Sequence, residues 1–273
     1  MKETSGKLIL IFAAVSAVIC GVVRFFQIES LTDFENGFFL RGSETGGLLI
    51  YILLAVFAVI LVVLAFLGKN KGEAAYFVSS DGMGDNATRI LGLGDIVGAF
   101  LIAAHILDGS QMIMLLFNVA AAVILLISGY TLIMRIVPPT FTGHIRLVAA
   151  AYLFFRTAEV FNADLVVINH AENLIVLISY VLFTAFMAGE ARFLSRIETK
   201  NTRVGEIILA FLTFLASATH VISDLIALAA GGNAAEFVSV DLGVAAAAVI
   251  SLAFVITVFC TKKKKDIIPI TEE

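Results

Sequence analysis

Long apolar runs recur from one end of the chain to the other. A helix needs about 20 residues to cross roughly 30 Å of hydrocarbon, and runs of about that length occur eight times here. The composition agrees, because 60% of the 273 residues are hydrophobic and 15% are charged. Strands of a membrane β-barrel would be shorter and would alternate in polarity. The sequence therefore predicts an all-α, polytopic membrane bundle.

Eight transmembrane helices, paired in four hairpins, form the predicted architecture. The predicted spans cover 8–26, 47–68, 90–107, 112–134, 145–162, 172–190, 205–227 and 241–260. We expect residues 1–261 to form one transmembrane domain. Residues 262–273 should form a short basic tail.

Basic residues alternate between the predicted loops and set the orientation. Short loops that carry Lys and Arg are retained in the cytoplasm, whereas acidic residues have little effect. The basic residues of the N-terminus, the even loops and the C-terminus are Lys2, Lys7, Lys69, Lys71, Arg89, Arg135, Arg146, Arg192, Arg196, Lys200, Arg203, Lys262, Lys263, Lys264 and Lys265. The odd loops carry few. Both termini are therefore predicted to be cytoplasmic.

Several function classes find no support in the residues. The sequence contains no GxxxxGK phosphate loop, GxSxG elbow or HExxH motif. A net charge of −4 does not favour binding to nucleic acid, and the run of four lysines in the tail better suits an anionic inner leaflet. The sequence does not decide whether the protein is an enzyme, although a non-enzymatic role is favoured.

Polar pairs recur near the predicted outer ends of the odd-numbered spans. Each pair has a basic or imidazole residue followed, three or four positions later, by a polar or acidic one, so both members share a helix face. The pairs are Arg24 with Gln27, His105 with Asp108, Arg156 with Glu159, and His220 with Asp224. A charge inside the membrane must face protein or water and needs a partner. We therefore predict that Arg156 lies near the midplane and pairs with Glu159, Asp224 or Asp108.

Two interpretations of these residues remain open. In the first, Arg156 and Arg24 hold an anionic group in an outward-facing polar pocket shaped by His105, Asp108, Glu159, His220 and Asp224. In the second, the same charges form an ionic lock that fixes helix packing. Individual members also have simpler explanations: Asp108 would cap the next helix, and Arg24 would extend to the lipid headgroups.

Three histidines on the predicted outer side suggest a further alternative. His105, His170 and His220, with a carboxylate and a water molecule, would suit a zinc ion. Such a site would support hydrolysis within the membrane. The ligands would come from different spans, so their spacing in the sequence is not diagnostic.

The first outer loop carries a pattern found in a bacterial family. Arg24 and Gln27 end the first span, and Phe34, Glu35 and Gly37 form a Phe-Glu-x-x-Gly-like segment. Over the first quarter of the chain, this pattern resembles uncharacterised polytopic membrane proteins of Gram-positive bacteria. The resemblance implies a bacterial plasma-membrane location and no particular activity.

The sequence thus predicts a protein embedded in the lipid bilayer, and its leading function is the binding or transport of a small anionic solute. The second hypothesis is a structural or accessory subunit that has a membrane protein as its partner. A metal-dependent hydrolase is the third.

Overall fold

The computed structural model describes residues 3–35, 39–40, 44–67, 86–104, 112–134, 140–164, 173–194 and 200–260. These residues are almost entirely helical, with one isolated antiparallel bridge between Thr32 and Phe39. The helices are α1 (Glu3–Leu31), α2 (Glu44–Leu67), α3 (Asn86–Ala104), α4 (Met112–Ile133), α5 (Thr140–Asp164), α6 (Asn173–Leu194), α7 (Lys200–Ala230), α8 (Asn233–Phe237) and α9 (Leu242–Cys260). The predicted all-α class is confirmed.

Six helices in the described part of the chain are long and apolar enough to cross a membrane. Their apolar segments are Leu8–Leu31, Gly46–Phe66, Met114–Ile133, Leu174–Arg192, Val204–Ala230 and Leu242–Phe259. They suit the predicted multi-pass membrane protein. α3 and α5, which contain the third and fifth predicted spans, are not in this set. In α5, the charged residues Arg146, Arg156 and Glu159 interrupt the apolar sequence.

Contacts between helix ends establish an up-and-down arrangement. The Gln27 side chain, late in α1, donates to the Gly46 carbonyl at the start of α2, and Arg146, early in α5, meets Glu190, late in α6. The starts of α3 and α5 meet through Asp95 and Arg146, and glycine contacts place the start of α3 beside the ends of α4 and α9, the start of α7 beside the end of α6, and the late parts of α1 and α7 together. Helices α1, α3, α5 and α7 therefore run one way, and α2, α4, α6 and α9 run the other way. We call the end at which α1, α3, α5 and α7 begin the near end, and the opposite end the far end.

α7 and α9 form the centre of the bundle. Protein buries 67% of the apolar segment of α7 and 72% of that of α9, but only 17% of that of α2. α7 contacts α1, α2, α6, α8 and α9, and α9 also contacts α3. Polar side chains on α7 thus lie inside protein, whereas α2 turns apolar side chains such as Val59 outward.

Glycines allow α3 to approach its neighbours closely. A Cβ on Gly94 would collide with the Cβ of Ala253 in α9, and one on Gly98 would lie 2.5 Å from Ile250 Cδ1. Contacts this short require a residue without a side chain. Gly94 and Gly98 form a GxxxG spacing in the segment GDIVG, and this spacing is therefore a packing motif of α3.

Candidate functional site

The predicted partnership of Arg156 with Glu159 is present on α5. Arg156 Nη1 lies 2.7 Å from Glu159 Oε2, and the two side chains are 21% and 36% exposed. The pair occupies the far half of the bundle, where the spacing of three residues places both side chains on one face of the helix. It is accessible in part, unlike Arg24 and Arg146, whose side chains are fully buried.

α6 and the start of α9 complete the surroundings of Arg156. Its guanidinium lies over the ring of Tyr180, 5.9 Å from the centroid, which is within the range of a cation–π contact. The Tyr180 hydroxyl donates to Asp241 Oδ1 at 2.7 Å, and the same oxygen accepts the backbone N–H of Val244 at 2.9 Å. Asp241 thus caps the first turn of α9 and holds Tyr180 beside Arg156.

A second set of polar residues lies between α1 and α7. His220 Nε2 is 3.3 Å from Asp224 Oδ2 one turn later, and both side chains are buried. Ser223 Oγ lies 3.1 Å from the other oxygen of Asp224. Arg24, from α1, is fully buried and interacts electrostatically with His220. The two helices approach closely here, because a Cβ on Gly21 would lie 2.6 Å from Ile222 Cγ2.

The two sets form one electrostatic neighbourhood, since Asp241 interacts with both Arg156 and His220. We call it the far-end cluster. Its members are Arg24, Arg156, Glu159, Tyr180, His220, Asp224 and Asp241.

The structure therefore brings together five of the residues that the sequence singled out, namely Arg24, Arg156, Glu159, His220 and Asp224. The idea that Arg24 extends to the headgroups is wrong, because its side chain is fully buried. His105, Asp108 and His170 lie outside the described residues. Within the described ranges, no three His, Cys, Asp or Glu side chains lie close enough to share a metal ion.

A second charged cluster, in the near half, has a geometry that the sequence analysis missed. Arg146 of α5 meets Asp95 of α3 in a bidentate contact, with Nη1 to Oδ2 at 3.0 Å and Nη2 to Oδ1 at 2.7 Å. Arg146 Nη1 also donates to Ser128 Oγ of α4 at 2.5 Å, and Nη2 lies 2.8 Å from Glu190 Oε2 of α6. All four side chains are buried. One guanidinium thus ties four helices together.

Glu206 of α7 lies beside this group. Its carboxylate packs against the backbone of Gly189 so closely that a Cβ on Gly189 would overlap it. Glu206 is 5% exposed and interacts electrostatically with Glu190 and Arg146. We call the group of Asp95, Ser128, Arg146, Glu190 and Glu206 the near-end cluster.

The near-end cluster corrects one step of the sequence interpretation. The charge pattern of the sequence places Arg146 beside a cytoplasmic loop, but it lies within α5 with a fully buried side chain. Acidic residues inside apolar runs were the available signal, because such residues are expensive in a membrane and need partners. Asp95, within the GDIVG packing motif, and Glu190, near the end of its span, both carry that signal.

No protein-family model matches the chain, and neither known proteins nor solved structures gave a significant match. The chemistry of the two clusters therefore rests on the residues of this chain alone.

The clusters differ in what they can do. The near-end cluster is closed, with its guanidinium bound to Asp95, Ser128 and Glu190. The far-end cluster leaves part of Arg156 and Glu159 accessible, and it combines a cation, an aromatic ring and carboxylates. It therefore leaves a cation and a carboxylate accessible from outside the bundle, which the near-end cluster does not.

Proposed function

We propose that the chain is a multi-pass protein of a bacterial plasma membrane that binds and moves a small solute with an anionic group at the far-end cluster. In this proposal α3 and α5 also cross the membrane, giving eight spans. Packing supports it, since α3 contacts α4 and α9, and α5 contacts α4 and α6. The near end faces the cytoplasm, in agreement with the basic residues of the even loops.

The partial exposure of Arg156 is the observation that carries the proposal. Most buried arginines have all of their charge committed to protein partners, but the side chain of Arg156 remains 21% exposed. Its planar guanidinium suits a carboxylate or phosphate group, which it can hold through two hydrogen bonds. The ring of Tyr180 supports the guanidinium from one side and so orients it.

Glu159 is the group that an anionic solute would replace. It is the more exposed partner of the ion pair, at 36%, and exposed ion pairs contribute about 0–1 kcal/mol. Displacing Glu159 toward the far surface is therefore inexpensive, whereas Asp241 stays fixed by Tyr180 and Val244. Asp241, which is partly exposed, then remains available to a polar or cationic part of the same solute.

One observation favours the alternative of an accessory subunit. The contact between Arg156 and Glu159 is already short, at 2.7 Å, as expected of an ionic lock. In that case the far-end cluster would stabilise the helix packing, and the partner would be another membrane protein. The two functions differ in whether a small molecule raises the stability of the isolated chain.

Thermal unfolding of the purified protein in detergent distinguishes them. The panel contains succinate, glutamate, inorganic phosphate and a hexose phosphate, each tested with the wild type and with Arg156→Gln. A ligand that binds only the folded state stabilises it by about 2.7 kcal/mol at a hundredfold excess over Kd. We expect one class of anion to raise the unfolding temperature of the wild type and to leave Arg156→Gln unchanged.

Arg89→Gln is the matched control, because Arg89 is an exposed arginine on α3, remote from the far end. It should respond to the ligand as the wild type does. A panel without effect on the wild type, together with a large loss of stability in Arg156→Gln, would favour the accessory subunit.

A further inference from the structure

The near-end cluster contains more acidic groups than basic ones. Asp95, Glu190 and Glu206 surround a single fully buried guanidinium, that of Arg146, and none of the three carboxyl groups is more than 5% exposed. If all three were ionised, two negative charges would remain in the interior without a buried counterion among the described side chains. Burying an uncompensated charge costs several kcal/mol, so a carboxyl group in that position takes up a proton instead.

The contacts of Arg146 indicate which carboxyl groups have their negative charge balanced and which do not. Asp95 receives both terminal nitrogens of the guanidinium, and Ser128 donates to it at 3.1 Å. Glu190 receives one contact, from Nη2 to Oε2. Its other oxygen, Oε1, is buried without a hydrogen-bond partner. Asp95 is therefore well compensated as an anion, and Glu190 less so.

Glu206 is compensated least. Its Oε1 atom is buried and has no hydrogen-bond partner. Its carboxylate is pressed against Gly189, the residue that precedes Glu190, so two acidic groups from α6 and α7 meet at this point. Among the described side chains, Arg192 is the other basic group that acts on Glu206; it is exposed to solvent and therefore provides weaker compensation.

We propose that Glu206 and Glu190 form a proton-binding site in the near half of the bundle, at which one proton is shared and exchanged with water at the near end. The proton neutralises one of the two excess charges, and Arg192 offsets part of the other. The proposal goes beyond the solute site and does not depend on it. Glu206 lies six residues from the start of α7, so about 9 Å of helix separates it from the near end. The bound proton comes from solvent, and a carboxylate becomes a neutral carboxylic acid.

The other described titratable groups around α7 lie too far along their helices from Glu206 to bind this proton in its place. The described side chains of the helices that contact α7 contribute Cys20, Arg24, Glu29, Tyr51, Tyr180 and Glu236. All of them lie in the far half, as do His220 and Asp224 on α7 itself. The described side chains in the near halves of α2 and α9 include no acid, base, histidine or tyrosine, although Ser251 and Thr257 of α9 are polar.

A proton suits the site better than a metal ion does. Hard cations such as Ca²⁺ take six to eight oxygen ligands, but in the described part of the chain no three acidic, His or Cys side chains converge closely enough to hold an ion. A proton needs a single carboxylate oxygen.

Infrared spectroscopy of the full chain in lipid vesicles tests the site directly, because a protonated carboxyl group has its own C=O band. The spectrum is recorded across a pH series without sodium and repeated with sodium chloride. We expect a protonated-carboxyl band that disappears as the pH rises and that is lost in Glu206→Gln. Glu236→Gln, which removes an exposed carboxylate from α8, should retain the band.

A second variant keeps the test decisive if Glu206→Gln folds poorly. Gly189→Ala places a methyl group where the Glu206 carboxylate now lies, and the flexible side chain can move away. Glu206 is retained in this variant but its carboxyl group is displaced, so the C=O band of the protonated carboxyl group should shift in frequency. An unchanged band in both Glu206→Gln and Gly189→Ala would overturn the proposal, and so would a band that sodium removes at constant pH.

Discussion

Arg146 and Arg156 lie ten residues apart on α5, yet they belong to clusters of opposite character. Arg146 is fully buried and contacts three other helices. Arg156 is 21% exposed, and its shortest ionic contact is with its own helix. The difference indicates that a charge within a helical bundle cannot be assigned a role from its type or its position along the helix alone. An arginine whose guanidinium already binds groups on other helices serves packing, whereas one that remains partly exposed can bind a solute.

The largest effect is expected where the near-end cluster is broken. Arg146→Met leaves Asp95 and Glu190 buried without their cation, and breaking a buried ion pair in this way costs about 3–5 kcal/mol. The free energy of unfolding in mixed micelles measures this loss. If the penalty comes from stranded charge, the double variant Arg146→Met with Asp95→Leu should regain much of the stability. Equal loss in the single and double variants would contradict it.

The next effect concerns the close contact between α3, which carries Asp95 of the near-end cluster, and α9. Gly94→Ala forces a methyl group against Ala253, and overpacking of this kind costs about 1–3 kcal/mol. Gly205→Ala is the matched control, because nothing lies within 4 Å of a Cβ at that position. The control should be neutral or slightly more stable, since alanine favours helix. Comparable destabilisation of both variants would mean that the contact between α3 and α9 is not tight.

A smaller effect is expected within the far-end cluster. Tyr180→Phe removes the hydrogen bond to Asp241 but keeps the ring and the N–H bond of Val244. The loss should be about 1 kcal/mol. The same variant should weaken ligand binding, because Asp241 and the ring no longer hold each other in place. Ligand affinity equal to that of the wild type would show that Tyr180 does not position the site.

The smallest effect on stability is expected at Arg156. Its ion pair with Glu159 is partly exposed, so screening limits the contribution to about 0–1 kcal/mol, and Arg156→Gln should unfold close to the wild type. Glu159→Gln should behave likewise. A loss of several kcal/mol in either variant would assign the far-end cluster to packing and remove the contrast with the near end.

The sequence predicted the fold class because apolar length is a local property. Runs such as 47–68 and 241–260 are long enough to indicate spanning helices without any knowledge of their neighbours. The sequence could not distinguish the buried α9 from the peripheral α2, because both are almost uniformly apolar. Their difference in burial comes from the helices that pack against them. The i,i+3 and i,i+4 pairs of the far-end cluster were also local, and Arg156 with Glu159 was found for that reason.

The parts of the two clusters that the sequence could not predict depend on contacts between residues far apart in the chain. Asp95 and Arg146 are separated by 51 residues, and no spacing rule connects them. Asp241 lay at the predicted boundary of a span, where an acidic residue is unremarkable, although it links Arg156 with His220. Gly189 and Glu206 show the same limit, since the space for a carboxylate on one helix depends on a missing side chain on another.

One paired substitution tests the central claim most directly, namely that Arg146 holds the bundle together and Arg156 binds a solute. Arg146→Lys and Arg156→Lys make the same chemical change, and unfolding is measured with and without the anion that stabilises the wild type. Lysine cannot reproduce a bidentate contact, so Arg146→Lys should lose stability and keep its response to the anion. Arg156→Lys should keep its stability and lose most of the response. The reverse pattern, or equal effects at the two positions, would contradict the account.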